Sequence, residues 1–170
     1  MKELYIDFDG VILDTMTVLY EYLDKENIDP KSTNETEEKR RRTFIENLNW
    51  DNLVNTTPQI NDSIKCIEKI VSSNKFVVSI LTHVNSLNEA IAKVNYIRNY
   101  FKDITIIPVP KKISKTKMVH TKGAILIDDY SGNLMEWEDE GGIGIRFSPT
   151  LDSKGFKVID RLDKILDIEI

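Results

Sequence analysis

The chain has few of the residues that staple or punctuate small proteins. There is one cysteine, Cys66, so no intrachain disulfide forms, which agrees with a reducing compartment. Cys66 falls in an apolar helical pattern and reads as inert packing. The two histidines, His83 and His120, are far apart and have no cysteine cluster beside them, which argues against zinc. No apolar run reaches the roughly 18 residues that span a bilayer. Met1 leads straight into a strand pattern without a signal peptide, so the expected address is the cytoplasm, with no membrane partner. Basic residues are outnumbered, 23 Lys and Arg against 28 Asp and Glu, for a net charge of -5. That argues against a nucleic-acid polymer as partner, because such binding needs phosphate neutralisation. There are seven glycines, and none lies between Gly10 and Gly123. So long a glycine-free stretch favours helices.

What is present is ordinary for a globular chain: 41% hydrophobic and 30% charged residues over 170 positions. That length suits one domain with a small insertion, and its core can form without staples. Residues 3–8 read as a buried strand and 15–25 as a helix. The run EEKRRR at 37–42 follows acidic residues on one helix and reads as a solvated face. Ile60, Ile64, Ile67, Ile70 and Val71 share a helical face. FVVSILT at 76–82 is a second strand. Ser86 and Glu89 form a capping box, opening a helix expected to bury Leu87, Ala90, Ile91, Val94, Ile97 and Phe101. ITII at 104–107 is a third strand, expected to stop at Pro108 and Pro110. GAILI at 123–127 is a fourth, a short helix spans about 132–139, IGIRF is a fifth strand, and a last helix covers about 159–168.

Strands alternating with helices predict an α/β fold: a three-layer, Rossmann-like parallel sheet with right-handed crossovers. The gap between the first two strands is too long for one crossover. Residues 16–58 are therefore expected to be a small inserted helical cap, on a core of 1–15 and 59–170. In such sheets ligands bind beyond the carboxyl ends of the strands. Asp7 and Asp9, Thr82, and Asp128 and Asp129 all fall there. Carboxylates gathered at one edge repel each other unless a cation sits among them, and Mg²⁺, a hard ion that takes oxygen ligands, is the natural candidate. An aspartate beside Mg²⁺ can attack phosphorus, a lysine can neutralise the phosphoryl oxygens, and a second carboxylate can move the proton. The plainer readings are a turn at Asp9-Gly10 and a helix cap at Asp128-Asp129.

DFDGVILDT at 7–15 resembles the first motif of the haloacid-dehalogenase (HAD) superfamily of phosphohydrolases. SILTH at 79–83 resembles its second motif and ILIDDY at 125–130 its fourth. A lysine between them supplies the third. The likeness covers about residues 1–15 and 76–150. A narrower resemblance is to the cytosolic 5′(3′)-deoxyribonucleotidase family, through DGVILD with Asp14, the LIDD ending, and RRTFIENL at 41–48. The chain departs from that family at Pro58-Gln59-Ile60-Asn61.

The resemblance implies Asp7 as nucleophile and metal ligand. It implies Asp9 as general acid/base, ligating the metal through its backbone carbonyl. Thr82 and a lysine would hold the phosphate, and Asp128, Asp129 or both would ligate Mg²⁺. Lys117 is preferred for the lysine on its distance before the paired acids, with Lys115 second and Lys111, Lys112 and Lys122 also in the segment. Phe44 is expected to stack on a nucleobase, and His83, beside Thr82, to touch substrate. The expected activity is a Mg²⁺-dependent phosphomonoesterase acting on a nucleoside monophosphate. Alternatives are the same chemistry on another small phosphate such as a sugar phosphate, transfer to an acceptor other than water, or a silent binder of a phosphorylated ligand. A homodimer is among the expected assemblies.

Overall fold

The computed structural model describes residues 1–170. Six strands form one sheet: β1 (Lys2–Ile6), β2 (Phe76–Val84), β3 (Thr105–Pro110), β4 (Ile125–Asp128), β5 (Ile143–Phe147) and β6 (Lys157–Ile159). Every pairing is parallel, in the order β3-β2-β1-β4-β5-β6. Six helices accompany them: α1 (Thr15–Lys25), α2 (Glu35–Glu46), α3 (Trp50–Thr56), α4 (Ser63–Ser72), α5 (Leu87–Arg98) and α6 (Ser131–Asp139). None is long and apolar enough to cross a membrane.

Both faces of the sheet are covered, which is why β1 and β4 read as near-continuous apolar runs. Successive side chains still go to opposite faces. Leu4 and Ile6 of β1, with Ile125 and Ile127 of β4, join a core of 30 buried residues that includes Ile64, Ile67 and Ile70 of α4 and Tyr96 and Ile97 of α5. Tyr5 and Leu126 face the other way, onto Leu134 and Trp137 of α6. Each fully buried aliphatic side chain contributes about 1.5–3 kcal/mol. Cys66 is buried in the larger core, and burial pushes its thiol pKa up.

Helices α1 to α3 sit between β1 and α4 in the chain. Leu19, Leu23, Trp50, Leu53 and Val54 belong to the same core as β1, so α1 and α3 share the main core and do not build one of their own. α2 buries no residue. Its basic run instead fastens the preceding loop: Arg40 donates to the carbonyls of Glu26 and Asn27, and Arg41 to those of Asp29 and Ser32.

Three elements differ from the sequence-based expectation. β3 does not stop at its prolines but runs through Pro108 and Pro110. The Lys111 N–H donates to Val84 O on β2. Neighbouring residues of a strand direct their backbone groups to opposite sides, so the nitrogens of Pro108 and Pro110 face away from β2 and the ladder loses nothing. The final segment is the short edge strand β6 followed by a 3₁₀ turn at Leu162–Asp167, and not one helix. In α5, Leu87 and Ile91 are exposed, and the buried face carries Glu89, Lys93, Tyr96 and Ile97. Ser86 Oγ accepts from the Glu89 N–H as a cap should, but the Glu89 carboxylate reaches Asn85 instead of closing the box.

Candidate active site

From β1, the strands β2 and β3 are laid down on one side and β4 to β6 on the other. The crevice between β1 and β4 is therefore the point where strand order reverses, the usual ligand position in open α/β sheets. Asp7 follows β1 directly, and its N–H donates to Ile127 O at 2.9 Å. Asp128 is the last residue of β4. The two aspartates are thus fixed by backbone pairing before any side chain contributes.

Lys115 lies between them. Its Nζ is 2.8 Å from Asp7 Oδ1 and 2.6 Å from Asp128 Oδ2, with the side chain 2% exposed. Burial opposes its charge, but the two carboxylates outweigh burial and hold its pKa above that of a free lysine. Asp128 is occupied further by the Tyr130 N–H at 2.9 Å and the Asn133 amide at 2.9 Å. Asp129 has no such ties and lines the open cleft beside Asp7. Its carboxylate packs against Gly10, whose φ is 73° and where an added Cβ would overlap Asp129 Oδ2. Gly10 is therefore needed for both backbone shape and space. Arg146 pins the turn that carries Asp129, donating to Asp129 O at 2.6 Å and to Ser131 Oγ at 3.0 Å.

Asp7, Asp128 and Asp129 each bring a carboxylate oxygen to within 4.8 Å of the others. Three carboxylates against one ammonium leave excess negative charge. Burial and then Asp128 push the Asp7 pKa well above the carboxylate range. Burial and then Asp128 raise Asp129 to about 7. An all-oxygen donor set of this kind fits a hard divalent cation, which would let the carboxylates stay ionised.

A stability profile follows. Between about pH 4 and about pH 7 the folded state binds more protons than the unfolded chain, through Asp7 and Asp129. Stability in EDTA is therefore expected to fall as pH rises through that window. His83, whose pKa is lowered by burial, acts in the opposite sense below about 6.5, as one group against two. Asp163, held down at about 2, acts only below the window. Thermal melts at stepped pH in EDTA test this, and a melting point that climbs from pH 4 to 7 refutes it.

Asp9 is held at both oxygens, Oδ1 by the Thr15 hydroxyl at 2.6 Å and Oδ2 by Lys93 Nζ at 2.6 Å. Lys93 also reaches Thr82 Oγ1 at 3.2 Å. Thr82 is buried inside β2, which continues to Val84. His83 lines the cleft, and its Nε2–H donates to Ile113 O at 2.8 Å. Burial holds its pKa below the ordinary value. The cleft has a volume of about 680 Å³ and is lined by Asp7, Asp9, His83, Lys111 and Asp129 among others. A smaller chamber of about 240 Å³ opens beneath α1 and α2, walled by Leu19, Tyr20, Arg41, Ile45 and Trp50. Asp9, Met16, His83 and Lys111 line both.

Three expected residues lie elsewhere: Thr82, which is fully buried and lines neither the cleft nor the chamber, Lys117 and Phe44. The Lys117 side chain is 66% exposed and pairs with Glu140 at 3.1 Å. It sits in a 3₁₀ turn with Lys115, and two residues along such a turn face different ways, so only Lys115 turns inward. Phe44 packs against the main core and a surface groove on α2, and lines neither the cleft nor the chamber. Sequence reasoning missed Lys93, Glu89, Thr15, Asn133 and Arg146. The one available signal was the Glu89–Lys93 pair, an acid and a base one helical turn apart directly after the strand that carries Thr82.

No family model and no curated protein sequence matches the chain. Solved structures do match in fold. A hydrolase from Pseudomonas syringae aligns over 98% of this chain and 97% of its own, with 13% identity and a TM-score of 0.64. A HAD-superfamily hydrolase of subfamily IA from Geobacter sulfurreducens aligns over 98% and 95%, with 13% identity and a TM-score of 0.61. A dehalogenase aligns over 98% and 96%, with 12% identity and a TM-score of 0.57. The fold is therefore the HAD-like, Rossmann-type α/β fold.

Proposed function

We propose that this chain is a Mg²⁺-dependent phosphomonoester hydrolase that works through an aspartyl-phosphate on Asp7. The observation that carries the reading is the convergence of Asp7, Asp128, Asp129 and Lys115 at the strand-order reversal, with Asp9 tethered at the same cleft. Asp7, Asp128 and Asp129 would hold Mg²⁺, which would neutralise the phosphoryl oxygens during in-line transfer.

An Asp7 carboxylate oxygen attacks phosphorus, the bond from phosphorus to the leaving oxygen breaks, and Asp9 gives that oxygen its proton. Water then attacks the phosphorus of the acyl phosphate, Asp9 takes the proton, and inorganic phosphate leaves with the Asp7 carboxylate restored. Lys115 holds Asp7 in place and offers positive charge beside the incoming phosphoryl group. Proton delivery by Asp9 favours a phosphate ester over a halide substrate, because a halide leaves without a proton.

Nucleoside monophosphates are the first substrate class to test. The chamber beneath α1 and α2 has Tyr20 and Trp50 in its wall and adjoins the cleft at Asp9. A second reading, another small phosphate such as a sugar phosphate, is favoured by the placement of Phe44 outside the cleft and by the chamber's modest volume.

Phosphate release from a panel of deoxy- and ribonucleoside monophosphates and sugar phosphates decides between them. Preference for a nucleotide supports the first reading, and activity confined to other phosphates supports the second. EDTA is expected to stop release and added Mg²⁺ to restore it. Full activity in metal-free protein would end the metal role.

A further inference from the structure

The inner face of α5 carries a buried ion pair. Lys93 is fully buried, and Nζ lies 2.6 Å from Asp9 Oδ2, 2.8 Å from Glu89 Oε1, 3.0 Å from His83 O and 3.2 Å from Thr82 Oγ1. An ammonium has three protons, so these acceptors leave none for water. Glu89 is equally committed, since its Oε2 accepts from the Asn85 N–H at 2.6 Å and the Asn85 side-chain amide at 3.0 Å. A buried pair of this kind contributes little to stability compared with apolar residues of the same size. It does link the loop after β1 to the loop after β2, and Asp9 is where the link ends.

We infer that Lys93, seated by Glu89, is the positioning residue for Asp9, fixing the carboxyl where it can serve the leaving group. The inference rests on the phosphomonoesterase reading above. Thr15 alone holds one oxygen of Asp9 and leaves the carboxyl free to swing. Lys93 holds the second oxygen and fixes the plane. Displacement of a reacting group by about 1 Å costs about 100-fold in rate.

Loss of Lys93 should therefore harm each substrate in proportion to its need for a proton. An alkyl phosphate expels a strongly basic alkoxide and needs the acid, a contribution of about 10²–10⁴. 4-Nitrophenyl phosphate expels a weakly basic phenolate and leaves nearly unaided. A merely structural role would lower both rates together.

The test compares kcat/KM for a simple alkyl phosphate and for 4-nitrophenyl phosphate. It uses wild type, Lys93→Met, and the double variant Lys93→Met/Glu89→Gln. Lys93→Met strands the Glu89 charge and can fail to fold. The double variant removes both charges and keeps the helix packed. In a folded variant the alkyl phosphate should lose about 100-fold and the aryl phosphate less than about 10-fold. Equal losses, or none, overturn the positioning role and leave the phosphatase reading standing. A wild type that hydrolyses neither ester, nor any nucleotide or sugar phosphate of the panel above, overturns the phosphatase reading, and the positioning role falls with it.

Discussion

Asp7→Asn is expected to lower phosphate release by about 10⁴-fold or more while the protein stays folded. The amide offers no nucleophilic oxygen, and losses of this size accompany removal of a covalent nucleophile. The variant is close to isosteric, and its carbonyl oxygen can still accept from Lys115, which sits 2.8 Å from Asp7 Oδ1. Burial and Asp128 already raise the Asp7 pKa, so the fold resists its ionised form. A neutral side chain there should leave the melting point in EDTA unchanged or higher. Activity and a thermal melt on the same preparation check both halves. Near-normal turnover would exclude Asp7 as nucleophile. Lost activity with a collapsed melt would show a structural role instead.

Lys115→Ala is expected to damage both activity and stability, and Lys117→Ala neither. Lys115 is the one ammonium between Asp7 and Asp128, at 2.8 and 2.6 Å. Removing it leaves two buried carboxylates facing each other, a change that typically costs roughly 3–5 kcal/mol. For a chain of this size that is a drop of at least about 6 °C in melting temperature. Protonation of Asp7 would relieve part of that cost and would also remove the nucleophile, so activity should fall by at least about 100-fold. Lys117 is a surface pair with Glu140 at 3.1 Å, and such pairs contribute about 0–1 kcal/mol. The two alanine variants, assayed side by side in Mg²⁺ and melted in EDTA, settle the order. Greater damage from Lys117→Ala would restore the assignment made on sequence distance alone.

The parts legible in the sequence were those fixed by backbone alternation. β1, β4 and β5 each show an apolar run ended by a polar residue or turn, and the parallel sheet and the gathering of Asp7, Asp9, Asp128 and Asp129 follow from them. Side-chain direction within short irregular segments was not legible. Lys115 and Lys117 are two residues apart in a 3₁₀ turn, and only tertiary packing decides which one points to Asp7. The face of α5 was misread for a related reason. Leu87, Ile91 and Val94 give a credible apolar stripe, yet the buried face is the one with Glu89 and Lys93, because Asp9 and Asn85 supply partners that sequence periodicity cannot show. Phe44 was read as a platform for a base because it is aromatic and part of the expected cap, but with Ile45 it anchors an otherwise exposed helix to the main core.

The outward-facing prolines of β3 have a consequence for how the protein behaves at high concentration. β3 is an edge strand, and of its three residues whose backbone groups face away from β2, two are Pro108 and Pro110. Ile106 alone keeps an outward N–H there. A second chain seeking to extend the sheet would find too few donors to form a continuous ladder. The opposite edge, β6, is only three residues long. Both open margins are thus poor templates for strand addition, and the molecule is guarded against edge-to-edge aggregation without any charged residue on β3.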